Sequence, residues 1–169
     1  MSEVESRDVQ PHESLSVDET LSVRKVAAAD GPTLFIWRND PLVREASRSN
    51  HVLTKEEHAE WLQVTLKDPD ADQFLVMRGQ HDVGYVRFDQ HEGLAEVSIY
   101  LNPEFRGLGL GVPVLLTAQG ALVNTSDVDE LRAYVKHGNS ASLRLFEAAG
   151  YAAETSDDSG TWYSWRADA

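Results

Sequence analysis

The stretch FRGLGLG, residues 105–111, places three glycines in five positions directly after an arginine. Glycine loses more backbone freedom on folding than any other residue, so a cluster of glycines needs a reason. The cluster could form a tight turn, a flexible hinge or a loop that lets an anion approach the backbone. The elements on either side of it decide between these.

The glycine run lies between a predicted strand and a predicted helix. Upstream, LAEVSIYLN (94–102) alternates an apolar face with a polar face that carries Glu96, Ser98 and Tyr100. Downstream, VPVLLTAQGALV (112–123) has the length and apolar content of a helix. A helix N-terminus that follows a strand offers free backbone amides to an anion. The run therefore favours phosphate binding over a structural turn, although it matches neither GxxxxGK[ST] nor GxGxxG.

The remaining patterns predict an α/β domain with a mixed sheet. Further strands are expected over 21–26, 73–79, 82–89 and 130–137, and a hairpin over 151–156 and 160–167. Helices are expected from Gly31, from a capping box at Thr54 and Glu57, and between Asn139 and Gly150. The order is β-α-α-β-β-β-α-β-α-β-β, which gives six or seven mostly antiparallel strands flanked by about four helices.

Composition limits the classes of function. The chain has 169 residues, no Cys and a net charge of −13. We expect a disordered acidic tail over residues 1–20 and one domain over 21–169. An acidic chain is a poor partner for nucleic acid, and no apolar run approaches the roughly 20 residues that span a bilayer. The acidic N-terminus is not a secretory signal, so a cytoplasmic location is expected.

Two motifs at this separation resemble the GCN5-related N-acetyltransferase superfamily. RGLGLG (106–111) fits R-x-x-G-x-G, and NSASLRLFEAAGY (139–151) fits N-x-x-S-x-x-x-F-x-x-x-G-Y. The resemblance covers roughly residues 21–166 and implies the fold of that superfamily, with acetyl-CoA as cosubstrate. The front half, including WRNDPLVREAS (37–47) and EEHAEWL (56–62), is similar to acetyltransferases of nucleotide-activated amino sugars, which serve pseudaminic-acid and sialic-acid-like pathways.

The resemblance also implies where acetyl-CoA binds. Backbone amides of the glycine run would hold the pyrophosphate, and the strand before it would pair with the pantetheine arm. If that strand is splayed, a free amide there would stabilise the oxyanion. The expected cofactor contacts are Ile99, Tyr100, Leu101, Arg106, Leu108, Gly109, Leu110, Gly111, Asn139 and Ser142. Asn139 is equally explained as a helix cap.

Direct acetyl transfer to an amine needs a base but neither a metal nor a nucleophilic side chain, which suits a chain without Cys. Glu96 is the first candidate for the base, because it lies on the polar face of the strand expected to hold the thioester. The competing interpretation is a solvated carboxylate on a strand. His58 is the second candidate, although its place on an apolar helix stripe is typical of a packed core histidine.

The chain departs from many relatives at the general acid. The last-helix motif carries Phe146 where those relatives have Tyr, and the preceding strand carries Tyr134 where they have Glu. Either Tyr134 donates the proton from a different position, or the thiolate leaves unprotonated, which is plausible for a thiol near neutral pH. Pro113 is a second departure, and it predicts a locally distorted cofactor loop.

The front half supplies the candidate acceptor site. Guanidinium groups bind a diphosphate in bidentate geometry, and Arg38, Arg44 and Arg48 form a local cluster. The expected substrate contacts are Arg38, Asn39, Arg44, His58 and Arg87. The competing interpretation is a set of surface arginines. The partner is then a small-molecule amine, with no nucleic acid or membrane involved, and a homodimer is left open.

Two other functions stay open. The acceptor could be a protein N-terminus, a small polyamine or an antibiotic amine. The acidic net charge favours a polyamine, whereas the arginine cluster favours an anionic acceptor. The chain could also be a catalytically inactive acyl-CoA sensor, which Phe146 favours because it has no proton to donate.

Overall fold

The computed structural model describes residues 20–168 and contains a seven-stranded mixed sheet. The strands are β1 (Leu21–Lys25), β2 (Ala71–Arg78), β3 (His81–His91), β4 (Leu94–Leu101), β5 (Glu130–Lys136), β6 (Ala152–Ser156) and β7 (Gly160–Arg166). Their order is β1-β2-β3-β4-β5-β7-β6, and every neighbouring pair except β4 and β5 is antiparallel. The predicted mixed, mostly antiparallel sheet is confirmed, whereas the predicted tail over residues 1–20 lies almost wholly outside the described residues.

Five α-helices flank the sheet within the described range. They are α1 (Gly31–Arg38), α2 (Pro41–Ala46), α3 (Lys55–Thr65), α4 (Gly111–Thr125) and α5 (Ser140–Ala148). Helix α2 adds to the expected set, because Asp40-Pro41 not only ends α1 but also starts a new helix. The Asp40 side chain accepts from the amides of Leu42 and Val43, and Pro41 occupies the first helical position, where its missing N–H costs nothing.

The sheet is covered on both faces. Helices α1 and α3 bury Leu34, Trp37 and Leu62 against Leu75 and Tyr85 on one face. Helix α4 covers the other face. It contributes more buried residues to the larger hydrophobic cluster than any other single helix or strand. Its buried apolar side chains are Val114, Leu115, Ala118 and Leu122. Burying each large aliphatic one contributes about 1.5–3 kcal/mol, which outweighs the roughly 1 kcal/mol cost of Gly120 inside the helix.

The helix ends follow the predicted caps. Thr54 Oγ1 accepts from the Glu57 amide at 3.1 Å, and Glu57 Oε2 accepts from the Thr54 amide at 2.8 Å, which completes the capping box of α3. Asn139 caps α5, and Gly150 follows that helix with a φ of 91°. Among residues 20–168, no helix is long and apolar enough to cross a membrane.

Candidate active site

The parallel pair β4–β5 separates along its length. Only Leu94, Ala95 and Glu96 of β4 pair with β5, although both strands continue beyond that point. The rest of β4 pairs with β3 alone, in a register that joins Ile99 to Val86. A gap therefore opens in the sheet between the second half of β4 and the second half of β5.

The backbone of β4 presents free polar groups to this gap. The Asn102 amide donates to Val83 O at 3.0 Å, which fixes the hydrogen-bonded pairs of the β3–β4 ladder. Because bonded and non-bonded pairs alternate, the amides and carbonyls of Val97, Ile99 and Leu101 point away from β3. The backbone of Tyr100 faces β3 instead. Of the three predicted cofactor contacts on β4, Ile99 and Leu101 thus have backbone groups at the gap.

The three glycines of 105–111 have two structural roles, turn formation and close packing of helices. Gly107 and Gly109 both have a φ of 73°, a left-handed conformation that L side chains rarely adopt. Gly111 has an ordinary φ, but a Cβ there would come within 2.7 Å of Leu145 Cδ1 on α5. Two glycines therefore shape the turn, and the third lets the start of α4 approach α5.

The start of α4 is an open helix N-terminus. Leu110 occupies the cap position without a side-chain bond, and the first helical bond runs from the Val114 amide to Leu110 O at 2.9 Å. Within the described chain, no hydrogen bond is found for the amides of residues 108–112. Pro113 lies where the N–H has no helical acceptor, and α4 runs uninterrupted from Gly111 to Thr125. The distortion of the loop itself stays a prediction. Leu108, Gly109, Leu110 and Gly111 keep amides that could meet an anion.

Arg106 joins this loop to the front of the molecule. Its Nη2 donates to Asp40 Oδ1 at 2.7 Å, and this contact holds the pKa of Asp40 below its ordinary value. The guanidinium expected beside the pyrophosphate is therefore already paired.

Asn139 and Ser142 form a closed pair at the start of α5. Asn139 Oδ1 accepts from the Ser142 amide at 3.1 Å, and Asn139 Nδ2 donates to Ser142 Oγ at 2.9 Å. The helix-cap interpretation is confirmed for Asn139. A contact with the cofactor arm stays a prediction for both residues.

The polar face of β4 carries the predicted base, Glu96, on the side of the sheet away from α4. Glu96 is 38% exposed at its side chain, and Arg48 Nη2 lies 2.7 Å from Glu96 Oε1. Arg48 comes from the segment 47–53, which crosses this face after α2. The sequence placed Arg48 in a cluster with Arg38 and Arg44, but no local pattern linked it to Glu96, which lies 48 residues away.

Tyr134 and Phe146 lie on opposite sides of the sheet. The Tyr134 hydroxyl donates to Asp157 Oδ1 at 2.7 Å, and this bond raises the pKa of Tyr134 above its ordinary value. A raised pKa makes the hydroxyl a poorer proton donor near neutral pH. Phe146 is buried and packs against Tyr151, with ring centroids 5.1 Å apart.

Arg38 on α1 and His58 on α3 are polar residues on the side of the sheet that Tyr100 of β4 faces. His58 is 2% exposed, and neither its Nε2 nor Nη1 of Arg38 has a hydrogen-bond partner in the described chain. Burial lowers the pKa of His58, and the charge of Arg38 lowers it further. Burial also raises the pKa of Tyr100, whose ring stacks on Tyr85 at 4.6 Å. His58 is thus a buried imidazole whose neutral form is favoured and whose Nε2 has no partner among the described residues.

The other predicted acceptor contacts have partners within the chain. Asn39 clamps the segment 47–53, since its Nδ2 donates to Leu53 O at 2.8 Å and its Oδ1 accepts from the Leu53 amide at 2.9 Å. Arg44 Nε donates to Asn39 O at 3.2 Å. Arg87 pairs with Asp89 and lies over the ring of Trp61, with Cζ 5.1 Å from the centroid. Asn39 therefore holds the segment 47–53, Arg44 bonds back to the end of α1, and Arg87 is engaged by Asp89 and Trp61.

Comparison with known protein families assigns this chain to one of them. Residues 20–152 match the family described as acetyltransferase (GNAT) domain. This match covers most of the chain, so the chain belongs to that family and is an acyltransferase. The expectation of an acetyl-CoA-dependent N-acetyltransferase is confirmed at this level. A search of curated proteins found no significant match.

Solved structures share the fold. Spermidine N-acetyltransferase from Vibrio cholerae, in complex with CoA and spermine, has a TM-score of 0.78 at 16% identity, covering 87% of this chain and 95% of that one. AAC(6')-Ib with ribostamycin and coenzyme A has a TM-score of 0.75 at 18% identity, covering 87% and 93%. The ribosomal-protein alpha-N-acetyltransferase RimL with coenzyme A has a TM-score of 0.75 at 16% identity, covering 90% and 97%.

Proposed function

We propose that this acyltransferase moves the acetyl group of acetyl-CoA to the primary amine of a small acceptor that also carries an anionic group. A nucleotide-linked amino sugar is our first choice of acceptor. One observation carries the proposal: β4 and β5 separate beyond Glu96, which leaves the backbone of Ile99 and Leu101 unpaired with β5. The donor and the acceptor would meet at the backbone of Ile99 and Leu101.

The donor side of the site rests on backbone groups. The free amides of residues 108–112 are aimed by two left-handed glycines and an uncapped helix N-terminus, an arrangement that favours a pyrophosphate. The unpaired edge of β4 has the spacing to bond an amide-containing arm as a strand would. An amide of Ile99 or Leu101 would then face the thioester oxygen, where negative charge develops.

The acceptor side supports an anion in part. Burial raises the pKa of Tyr100, and the charges of Arg38 and Arg87 oppose that rise, so both cations act electrostatically on this part of the site. Arg38 keeps an unpartnered Nη1, and a buried donor without an acceptor is costly unless a ligand satisfies it. A phosphate or carboxylate of the acceptor would supply that acceptor group.

Acetyl transfer at this site needs few proton transfers. The acceptor ammonium first gives one proton to Glu96, directly or through water. The neutral nitrogen then bonds to the acetyl carbon, the carbon–sulfur bond breaks, and the second proton of the nitrogen passes to solvent or to the departing thiolate. The departing thiolate needs no protein acid, which suits the buried Phe146 and the Tyr134 hydroxyl already bonded to Asp157.

A second candidate is a cationic amine. The chain has a net charge of −13, which attracts a polyamine by long-range electrostatics. The related structures carry acceptors of this kind by their names, spermine and ribostamycin. An inactive sensor is the third possibility, and it would bind acetyl-CoA without turnover.

A thiol-release assay separates these functions. Acetyl-CoA is supplied with nucleotide-linked amino sugars, their free amino-sugar counterparts, spermidine, an aminoglycoside and a peptide with a free N-terminus. We expect the highest kcat/KM with a nucleotide-linked amino sugar and a lower value for its free counterpart. Highest turnover with spermidine would favour the second candidate. Binding of CoA without release of thiol from any acceptor would favour the sensor.

A further inference from the structure

Arg48 lies in a pocket built by three other residues. Its Nη2 is 2.7 Å from Glu96 Oε1. Its Cζ lies 5.0 Å from the centroid of the Tyr134 ring and 4.9 Å from the centroid of the Trp162 ring. The guanidinium is therefore bounded by one carboxylate and two aromatic rings.

The walls of this pocket are held independently of Arg48. Tyr134 and Trp162 are direct neighbours on β5 and β7, and their rings meet edge to face with centroids 5.2 Å apart. The Tyr134 hydroxyl is bonded to Asp157. Glu96 lies at the last paired position of β4 with β5. Strand pairing thus fixes all three side chains at their backbones.

Arg48, in contrast, comes from an irregular segment. It follows the C-terminal cap of α2, and its side chain is 55% exposed. The end of α2 is tied to β5 because Lys136 Nζ donates to Glu45 O at 3.0 Å. This tie joins the end of α2 to β5 beside Tyr134. The three walls thus belong to paired strands, whereas Arg48 belongs to a segment without regular structure.

The other charges around the pocket are already engaged. Arg132, opposite Glu96 in the register, contacts Glu130 and Glu154. Asp89, opposite Glu96 on β3, pairs with Arg87. Within residues 20–168, Arg48 is the cation in contact with Glu96.

We propose that Glu96, Tyr134 and Trp162 form a cation subsite that Arg48 occupies, and that Arg48 thereby determines which class of acceptor the enzyme takes. With Arg48 in place, Glu96 is neutralised and the subsite rejects a second ammonium group, so an anionic acceptor meets no uncompensated negative charge there. Without Arg48, the same walls would bind the distal ammonium of a diamine or polyamine. The inference rests on the proposed function in one respect, namely that this face receives the acceptor.

The test is a gain of binding. Spermidine is titrated by calorimetry into the CoA-bound wild type, Arg48→Ser, Arg48→Lys and Arg48→Ser/Glu96→Gln. We expect Arg48→Ser to bind spermidine at least about tenfold more tightly than the wild type, as an ion pair plus ring contacts would give. Arg48→Lys keeps a cation in the subsite and should gain little. The double variant lacks the carboxylate and should lose most of the gain.

Arg166→Ser is the matched control. Arg166 is an exposed arginine of the same sheet that pairs with Glu130 and Glu154 but not with the two rings. Its replacement changes the net charge by the same amount, and spermidine binding should stay at the wild-type value. An equal gain in Arg166→Ser would mean that net charge alone is responsible and would overturn the proposal. So would an Arg48→Ser protein with wild-type melting temperature and CoA affinity but no gain.

Turnover separates this inference from the proposed function. If Arg48→Ser binds spermidine more tightly but no variant acetylates any acceptor, the subsite stands and the proposed function fails. If the wild type acetylates an anionic acceptor but Arg48→Ser gains no spermidine binding, the proposed function stands and the inference fails. If both hold, kcat/KM should rise for spermidine and fall for the anionic acceptor in Arg48→Ser.

Discussion

Arg106 of the glycine loop donates to Asp40, the capping residue of α2, with 2.7 Å between Nη2 and Oδ1. One carboxylate thus serves two elements, because the same Oδ1 also accepts from the amides of Leu42 and Val43. The contact ties the predicted cofactor loop to the segment that carries the predicted acceptor residues. A substitution at Asp40 should therefore perturb both the glycine loop and the start of α2.

Replacing Asp40 separates the cap from the ion pair. Asp40→Asn keeps a good cap and loses the charge, whereas Asp40→Ala loses both. We expect Asp40→Ala to lower the free energy of unfolding by about 1–2 kcal/mol, the usual cost of a lost N-cap. Asp40→Asn should cost less than about 1 kcal/mol, because the pair is partly exposed and screened. Urea denaturation at pH 7 measures both, and equal losses would contradict the separation.

The same pair predicts a dependence on pH. The folded-state pKa of Asp40 is lowered by Arg106, so its stabilising contribution is present above the ordinary pKa of about 3.9. It is lost as the pH falls through the lowered folded value. The difference in unfolding free energy between wild type and Asp40→Asn should therefore be constant from pH 5 upward, about one unit above that ordinary value, and shrink below about pH 4. Arg24→Ser, which breaks the separate pair with Asp30, serves as a comparison.

Much of this architecture follows from local pattern, and the exceptions have identifiable causes. Alternation along β4 and the caps at Thr54 and Asn139 predicted the elements correctly, because each depends on neighbours in the sequence. Helix α2 was missed, because Asp40-Pro41 reads equally as the end of one helix and the start of another.

The contacts that sequence could not give are those between distant segments. The pairs of Arg106 with Asp40 and of Arg48 with Glu96 join separate segments, and nothing periodic marks them. The contact of Trp162 with Arg48 also joins distant segments, and no local pattern in the sequence predicts it. The opening of the β4–β5 gap was expected only through the resemblance to known acetyltransferases.

Gly109 offers the cleanest test of the cofactor loop. At a φ of 73°, any side chain is strained, which costs about 1–2 kcal/mol. Gly109→Ala and the larger Gly109→Val should also re-aim the amides of residues 108–111 and weaken CoA binding by at least about tenfold, the equivalent of one charge-assisted hydrogen bond. Calorimetry with CoA measures this. Unchanged CoA affinity would show that the pyrophosphate binds elsewhere.

The control for backbone strain is Gly93→Ala. Gly93 has a φ of 81°, and a Cβ there would meet nothing within 4 Å, as at Gly109. Both alanine variants should lose similar stability, but only Gly109→Ala should lose CoA affinity. Gly111→Val is a less specific test, because its side chain would also collide with Leu145.

His58 should make stability depend on pH near neutrality. Its folded-state pKa is lowered by burial and by Arg38, so the unfolded chain binds the proton more readily. Stability is fully present above the ordinary pKa of about 6.5 and falls as the pH drops towards the lowered folded value. In His58→Phe, the melting temperature should fall less steeply from pH 7.5 to pH 5.5, the interval around that value. The exposed His91→Phe should keep the wild-type slope, and an unchanged slope in His58→Phe would contradict a buried neutral imidazole.

The last prediction concerns Glu96 as the base of acetyl transfer. An amine is mostly protonated at neutral pH, so its proton needs an acceptor. Glu96 lies on the polar face of β4, with Arg48 Nη2 2.7 Å from its Oε1. Removing a general base costs about 100- to 10,000-fold. We expect Glu96→Gln to lower turnover at least about tenfold at pH 7, with CoA affinity nearly unchanged, because the side chain lies on the face away from α4. The loss should shrink as the pH rises and more amine is neutral.

Glu92→Gln, in the preceding turn, should be near normal. Full turnover in Glu96→Gln with a verified acceptor would exclude Glu96 and make His58 the next residue to replace.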